Sequence, residues 1–421
     1  MNMLIKVYRS AFFFLICTLF LFSSINAASL YPIIKKPIEI RLTAKVVPSS
    51  VVKMAIYNGV ENSIVLEPGT LFQLKEQNIP DINFMDEKEL RLSIPIAIIR
   101  NDSVEKELLI EIIARLDDIN VGESVDRLFI SNNPEEVNHS GLLLKGTMQE
   151  EKTGVLLFYH KNLSDANKDV IFSVTNHENH PVWIYVTPGM GGPSEDGVFV
   201  GHLATKRYFQ NFMGKTGAFL YIPALSTRVV YKNAAKIKQI VAGVFRIEKL
   251  SPGRISLYTM MVDKQTESVA QYVCFEKEEK GHVGGIFTGG YKLIDKKYVI
   301  GNDILNIRVG DSPFLCDELT NSYLLGNYGL TYKLNIELIN NYKELKKISL
   351  FFVPSGGIAR GVFLYEKNII ETGVVNPMFS NDNAKIISVE VEPFQRKNIS
   401  LITMPQPGSF YPVNLVLKTE E

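Results

Sequence analysis

Apolar residues along this chain fall in short, strand-like runs, and in one of them the alternation is clear. Lys333–Ile339 reads KLNIELI, so Leu334, Ile336 and Leu338 share one face of an extended segment. Ile38–Val47, Leu92–Ile99, Val155–Tyr159 and Val182–Val186 are further short β-like runs, and the runs are rich in β-branched residues and broken at Gly, Pro and Asn. Helical spacing is rare. Ala204–Met213 (ATKRYFQNFM) is the helix candidate, with a weaker one near Glu318, and Leu108–Leu116 fits a strand or a buried helix equally well. Many short strands with turn signals between them predict an all-β chain. The expected architecture is tandem antiparallel β-sandwiches, immunoglobulin-like, with one short helical insert.

The pattern also repeats. Phe172–Asn176 is followed by a turn, an apolar run, Pro188, Gly191-Gly192 and Gly197-Val-Phe199. Ile336–Asn340 is followed by a turn, an apolar run, Pro354, Gly356-Gly357 and Gly361-Val-Phe363. The Asn pair and the Gly-Val-Phe pair share an offset of 164 residues. Ile255–Met260 (ISLYTM) is echoed by Ile399–Met404 (ISLITM) at a shorter offset. Two related β-domains are therefore expected, copy 1 over 123–265 and copy 2 over 300–421. Between them lies 266–299, a linker and first strand; before them lies an N-terminal β-region, 28–122. The Gly-rich stretches read as one structural turn present in both copies, with Gly supplying positive φ and the adjoining Gly-Val-Phe restarting a strand whose Phe fills the core. Neither stretch has the Lys-Ser/Thr ending of a phosphate-binding loop.

The N-terminus departs from this pattern. Lys6 and Arg9 precede an apolar run, Ala11–Phe22, of 12 residues, and small residues follow up to Ala27. The run is short of the roughly 20 residues that span a bilayer. It predicts a signal peptide, 1–27, and a mature chain without a transmembrane span. The expected location is secreted, periplasmic or cell-surface.

Composition narrows the class further. The chain has 421 residues, 46% of them apolar, which suits two or three packed cores. Lys+Arg and Asp+Glu are both 45, with no long run of either sign, so a nucleic-acid partner is not expected. Beyond the signal peptide there are two cysteines, Cys274 and Cys316, which an oxidising compartment would allow to pair.

Candidate chemistry is sparse. Ser194, Glu195 and Asp196 sit together in the first Gly-rich stretch and offer oxygen ligands, without the spacing of a calcium loop. Gly192–Gly197 is not a Gly-x-Ser-x-Gly nucleophile turn either. His202 lies close by, and His177, His180 and His160 stand near turns. Trp183 and Tyr185 alternate on one strand and face one side, where aromatic rings can stack on sugars. Ser194, Glu195, Asp196, His202, Trp183 and Tyr185 are the candidate binding residues. No catalytic residue, metal site or cofactor is called for. The sequence predicts an exported, non-catalytic component of an envelope or surface, structural or binding. Its expected partner is a cell-wall or extracellular glycan or an envelope protein. The rival is an extracellular hydrolase acting on polysaccharide.

Overall fold

A computed structural model describes residues 31–101, 103–263, 284–378 and 384–420. The predicted signal peptide, the charged run 264–282 and Cys274 lie outside the described residues. Cys316 is exposed.

The chain is mostly β, in several antiparallel sheets. Its largest sheet has 11 strands and runs through the N-terminal region as well as copy 1. The join is Ala218–Ile222 against Ile38–Leu42, with Ala218 opposite Leu42 and Phe219 opposite Arg41. A four-stranded sheet faces it, in the order 141–148, 255–262, 168–176, 227–235. One core fills both regions, including Ile40, Ile56, Phe84, Ile112, Phe158, Phe172 and Phe245. A five-stranded and a four-stranded sheet make the C-terminal sandwich around Tyr332, Leu334, Ile336, Phe352, Phe363 and Leu415. Leu334, Ile336 and Leu338 are all buried, as the alternation requires. Leu108–Leu116 is strand, within Ser103–Leu116. Parallel pairings interrupt the antiparallel pattern: 127–131 and 136–137 with 153–162, 38–42 with 103–116, and 291–299 with 331–339.

Among the described residues there are two α-helices, where one was expected. Helix α1, Ser49–Ser63, buries Val51, Val52, Met54, Ala55, Ile56, Asn58 and Val60. Its Val, Ile and Gly content masks it in the sequence. Gly59 lets it sit close on strand 38–42: a Cβ there would stand 3.0 Å from the Ile40 side chain. Helix α2, Gly197–Met213, contains the predicted Ala204–Met213 but starts seven residues earlier. Gly197-Val-Phe199 is therefore its first turn, not a strand, and Phe199 is 44% exposed against 1% for Phe363. The region of Glu318 forms turns and isolated bridges and no helix.

The two sandwiches share an order of strand pairing. Strand 168–176 pairs with 227–235, and 182–194 pairs with both 218–222 and 240–249. In the second sandwich 331–339 pairs with 396–403, and 346–354 with both 385–391 and 413–419. Strand 153–162 joins 240–249 as 305–309 joins 413–419. Asn176 and Asn340 end corresponding strands in the same way. Each donates its amide to the carbonyl four residues on (His180, Glu344) and to two carbonyls across the sandwich (Ile222 and Pro223; Val391 and Glu392). Each accepts from the backbone N–H two residues on. The third sequence match is not equivalent. Asn176 N–H donates to Ser226 O and Asn340 N–H to Gln395 O, so 396–403 corresponds to 227–235 and not to 255–262.

The Gly-rich stretches also differ. In copy 1 the glycines belong to strand 182–194 and lie beneath α2: a Cβ on Gly189 would be 2.3 Å from Ala204 O, and one on Gly191 2.0 Å from Val200 O. In copy 2 they form a turn packed on the Phe410 ring. The stretches lead into different elements, α2 in copy 1 and the hairpin 362–371 in copy 2. These two unlike insertions occupy the same place in the strand order, and they pack on each other.

Candidate functional site

The sequence candidates separate into three structural settings. At the start of α2, Asp196 is the N-cap, its carboxylate accepting from Phe199 N–H at 3.0 Å. Ser194 Oγ accepts from Asp196 N–H at 3.2 Å. The Ser-Glu-Asp stretch is thus committed to starting a helix, with Glu195 beside it. Among the described residues no group of three or more His, Cys, Asp or Glu converges as a metal site.

His202 lies further along α2 and is 3% exposed. Its Nε2 donates to Glu371 Oε2 at 2.6 Å, and Lys206 Nζ holds the other carboxylate oxygen at 2.6 Å. Gln406 Nε2 approaches Nδ1 at 3.4 Å. Burial, with the nearby Arg360 and Lys206 charges, lowers the His202 pKa and outweighs the opposing pull of Glu371. Gly201 touches the same partner region: a Cβ there would fall 1.8 Å from Pro407 O. A Cβ on Gly408, at φ +73, would fall 2.2 Å from Gly197 O. Around this clamp Tyr208 and Phe209 join Val362, Ile402 and Met404 in one buried cluster.

Trp183 and Tyr185 do share a face. They stand opposite Tyr221 and Phe219 on the neighbouring strand. The Arg41 guanidinium covers the face, 5.3 Å from the Trp183 ring centre and 4.8 Å from that of Phe219, and pairs with Asp117. Tyr185 is fully buried; its hydroxyl donates to Lys215 O at 3.1 Å and lies 2.9 Å from Thr43 Oγ1. Cation–π and hydrogen-bond contacts thus occupy the rings within the protein.

His160, His177 and His180 have structural partners. His160 is fully buried; its Nδ1–H donates to Pro134 O at 2.9 Å, which leaves Nε2 to accept from the Ser131 hydroxyl at 2.8 Å. Burial pulls its pKa down to about 4. His177 bonds Ser256 Oγ at 2.8 Å, and His180 lies on an exposed turn.

Among the described residues there is also a groove of about 1230 Å³ that sequence reading did not find. One wall is α1 with strand Leu71–Leu74; the other is the edge strand Thr227–Ala235. Arg207 of α2, with Met190 and Gly192, closes one end. Tyr57 and Phe72, both half-buried, form an aromatic pair on its surface with ring centres 4.8 Å apart. Behind Val229 lies Glu61, whose carboxyl burial pushes up to about 7 against the opposing Arg228 charge, 3.9 Å away.

No protein-family model matches the chain, and no curated protein matches its sequence. Among solved structures it is similar to Lac15 from a marine microbial metagenome, at 6% identity, over 74% of this chain and 68% of that one, with a TM-score of 0.13. It is similar to the ZmpB catalytic domain with its CBM51 domains from Clostridium perfringens, at 8% identity, over 81% and 44%, TM-score 0.17. It is also similar to the tandem CBM22 domains of Xyn10C from Paenibacillus barcinonensis, at 10% identity, over 68% and 91%, TM-score 0.14.

Proposed function

We propose that this chain is an exported, non-catalytic β-sandwich protein that serves as a binding or structural component of a cell envelope or surface, with an extracellular glycan as its partner. The observation that supports this most is how the candidate chemistry is used. Asp196 caps a helix, His202 clamps one sandwich to the next, and Tyr185 is buried under its own hydrogen bonds. Side chains spent in this way build a rigid body. The apolar N-terminal run supports export, with cleavage after Ala27. Among the described residues no helix is long and apolar enough to cross a membrane.

The test is a pull-down of the exported chain with insoluble cell-wall material and purified glycans, alongside N-terminal sequencing. Retention on a glycan, with Ala28 as the first residue, is the expected result. Release of reducing ends from a polysaccharide by the purified chain would overturn the non-catalytic reading. Met1 on a membrane-bound product would overturn export in soluble form.

A further inference from the structure

We infer that the groove between helix α1 and strand Thr227–Ala235 is a binding site for an uncharged polysaccharide chain. This rests on the glycan-partner reading above and adds to it a place and a ligand class.

The argument begins with charge. Three cationic and three acidic side chains line the groove: Lys53, Arg207 and Lys232 against Glu76, Asp169 and Asp263. They are held within the protein. Lys53 pairs with Glu76, Lys232 with Asp169 at 2.9 Å, and Asp263 with Lys168 at 2.7 Å. Arg207 donates to Met190 O at 2.8 Å. With Lys168 counted, Arg207 is, among the described residues, the one charge here without a carboxylate partner, so a charged ligand would have to compete with these pairs and would find at most that single cation, already donating to a carbonyl. A neutral ligand need not break any of them.

The remaining lining suits a sugar. Tyr57 and Phe72 offer apolar ring surface, to which the C–H face of a pyranose is complementary. Gln73, Asn167 and Asn233 line the same space with amides, each able to donate to one hydroxyl while accepting from another. A space of 1230 Å³ exceeds the roughly 300–1,000 Å³ of a pocket for a single small molecule, as an oligosaccharide segment requires. A polypeptide adding to the edge is opposed by the strand itself. Thr227–Ala235 carries a bulge opposite Phe172/Ser173 and the charged Lys232, both devices that discourage strand addition.

The experiment uses the whole mature chain and measures binding to neutral probes (cello-oligosaccharide, laminarin and mannan) and to anionic polygalacturonate. Two variants perturb the groove differently. Tyr57→Ala removes ring surface. Ser50→Trp fills the space from an exposed position. Binding to at least one neutral probe is expected, about tenfold or more weaker in both variants. It should be unchanged between about 0.05 M and about 0.5 M salt, because ion pairing to the ligand is not involved. Neutral-glycan binding that survives Ser50→Trp would overturn the site while leaving the glycan reading intact. Binding confined to polygalacturonate and lost in salt would overturn the ligand class. Failure to bind any glycan, in these assays and on cell-wall material, would overturn the glycan reading and this inference together.

Discussion

His202 Nε2 and Glu371 Oε2 meet at 2.6 Å across 169 residues of sequence, and through them the insertion of one sandwich holds the insertion of the other. Removing Glu371 leaves the buried His202 unmatched, whereas removing His202 takes away a charge-assisted hydrogen bond and leaves Glu371 exposed and still paired with Lys206. His202→Ala is expected to cost about 1.5–3 kcal/mol and Lys206→Ala, on the exposed side of the same carboxylate, about 0.2–1 kcal/mol. Denaturant unfolding of the two variants checks the difference; equal losses would show that the clamp is a surface ion pair.

Acid should destabilise the fold through its buried imidazoles. Burial holds His202 below its ordinary 6.5 and His160 at about 4, so the folded state binds fewer protons than the unfolded one in the window between. Stability from these groups is complete above pH 6.5 and is lost as pH falls through the folded values. His160→Gln should flatten the fall in melting temperature between pH 6.5 and 4; an unaltered slope would rule this source out.

Glu61 works in the opposite direction. Its carboxyl is raised from 4.5 to about 7, so between these values the folded state binds more protons than the unfolded one. Stability from this group is therefore greatest below pH 4.5 and falls as pH rises to 7. Glu61→Gln should raise stability at pH 8 more than at pH 5. Thermal melts at the two pH values decide the matter, and a gain that is the same at both would count against the assignment.

Phe199 and Phe363 look alike in sequence and differ in the fold. Phe363→Ala should cost about 3–5 kcal/mol, as expected for a fully buried ring. Phe199→Ala should cost less than about 1 kcal/mol, because its ring faces solvent on α2. Comparable losses at the two sites would contradict the helical assignment of Gly197–Phe199.

Asn176→Ala and Asn340→Ala should each cost about 2–4 kcal/mol, since each strands backbone carbonyls on both sides of a turn. Asn→Asp should be no milder, because the lost donor is replaced by a carboxylate facing carbonyl oxygens. Urea midpoints that do not move would show that solvent replaces these bonds.

Strands with one buried face were legible from a period of two, as at Leu334, Ile336 and Leu338, and those buried on both faces, such as Thr153–Asn162, were legible as short apolar runs. Helix α1 was not, because Val51, Val52, Ile56 and Val60 are strand formers that tertiary packing holds in a helix. The Gly-Val-Phe echo misled for a related reason: local sequence matched while Asp196 capped one copy into a helix. The pairing of Asn176 with Asn340 was legible, whereas the Ile255–Met260 echo fell on non-corresponding strands. The groove could not be read at all. Tyr57, Phe72, Arg207 and Lys232 come from separate segments, and only the folded chain brings them around one space.

The contact of Gly201 with Pro407 bears on how this molecule can be handled. Backbone there meets backbone, with no room for even a methyl group between the sandwiches. A fragment ending before residue 300 would strip Leu324, Val362, Ile402 and Met404 from the cluster they share with Tyr208, Phe209 and Leu157, and so bare apolar surface to water. Such a piece would self-associate rather than report on the intact molecule. The two sandwiches are thus less like beads on a string than like two halves of a mortised joint, and the smallest unit worth purifying is the joint itself.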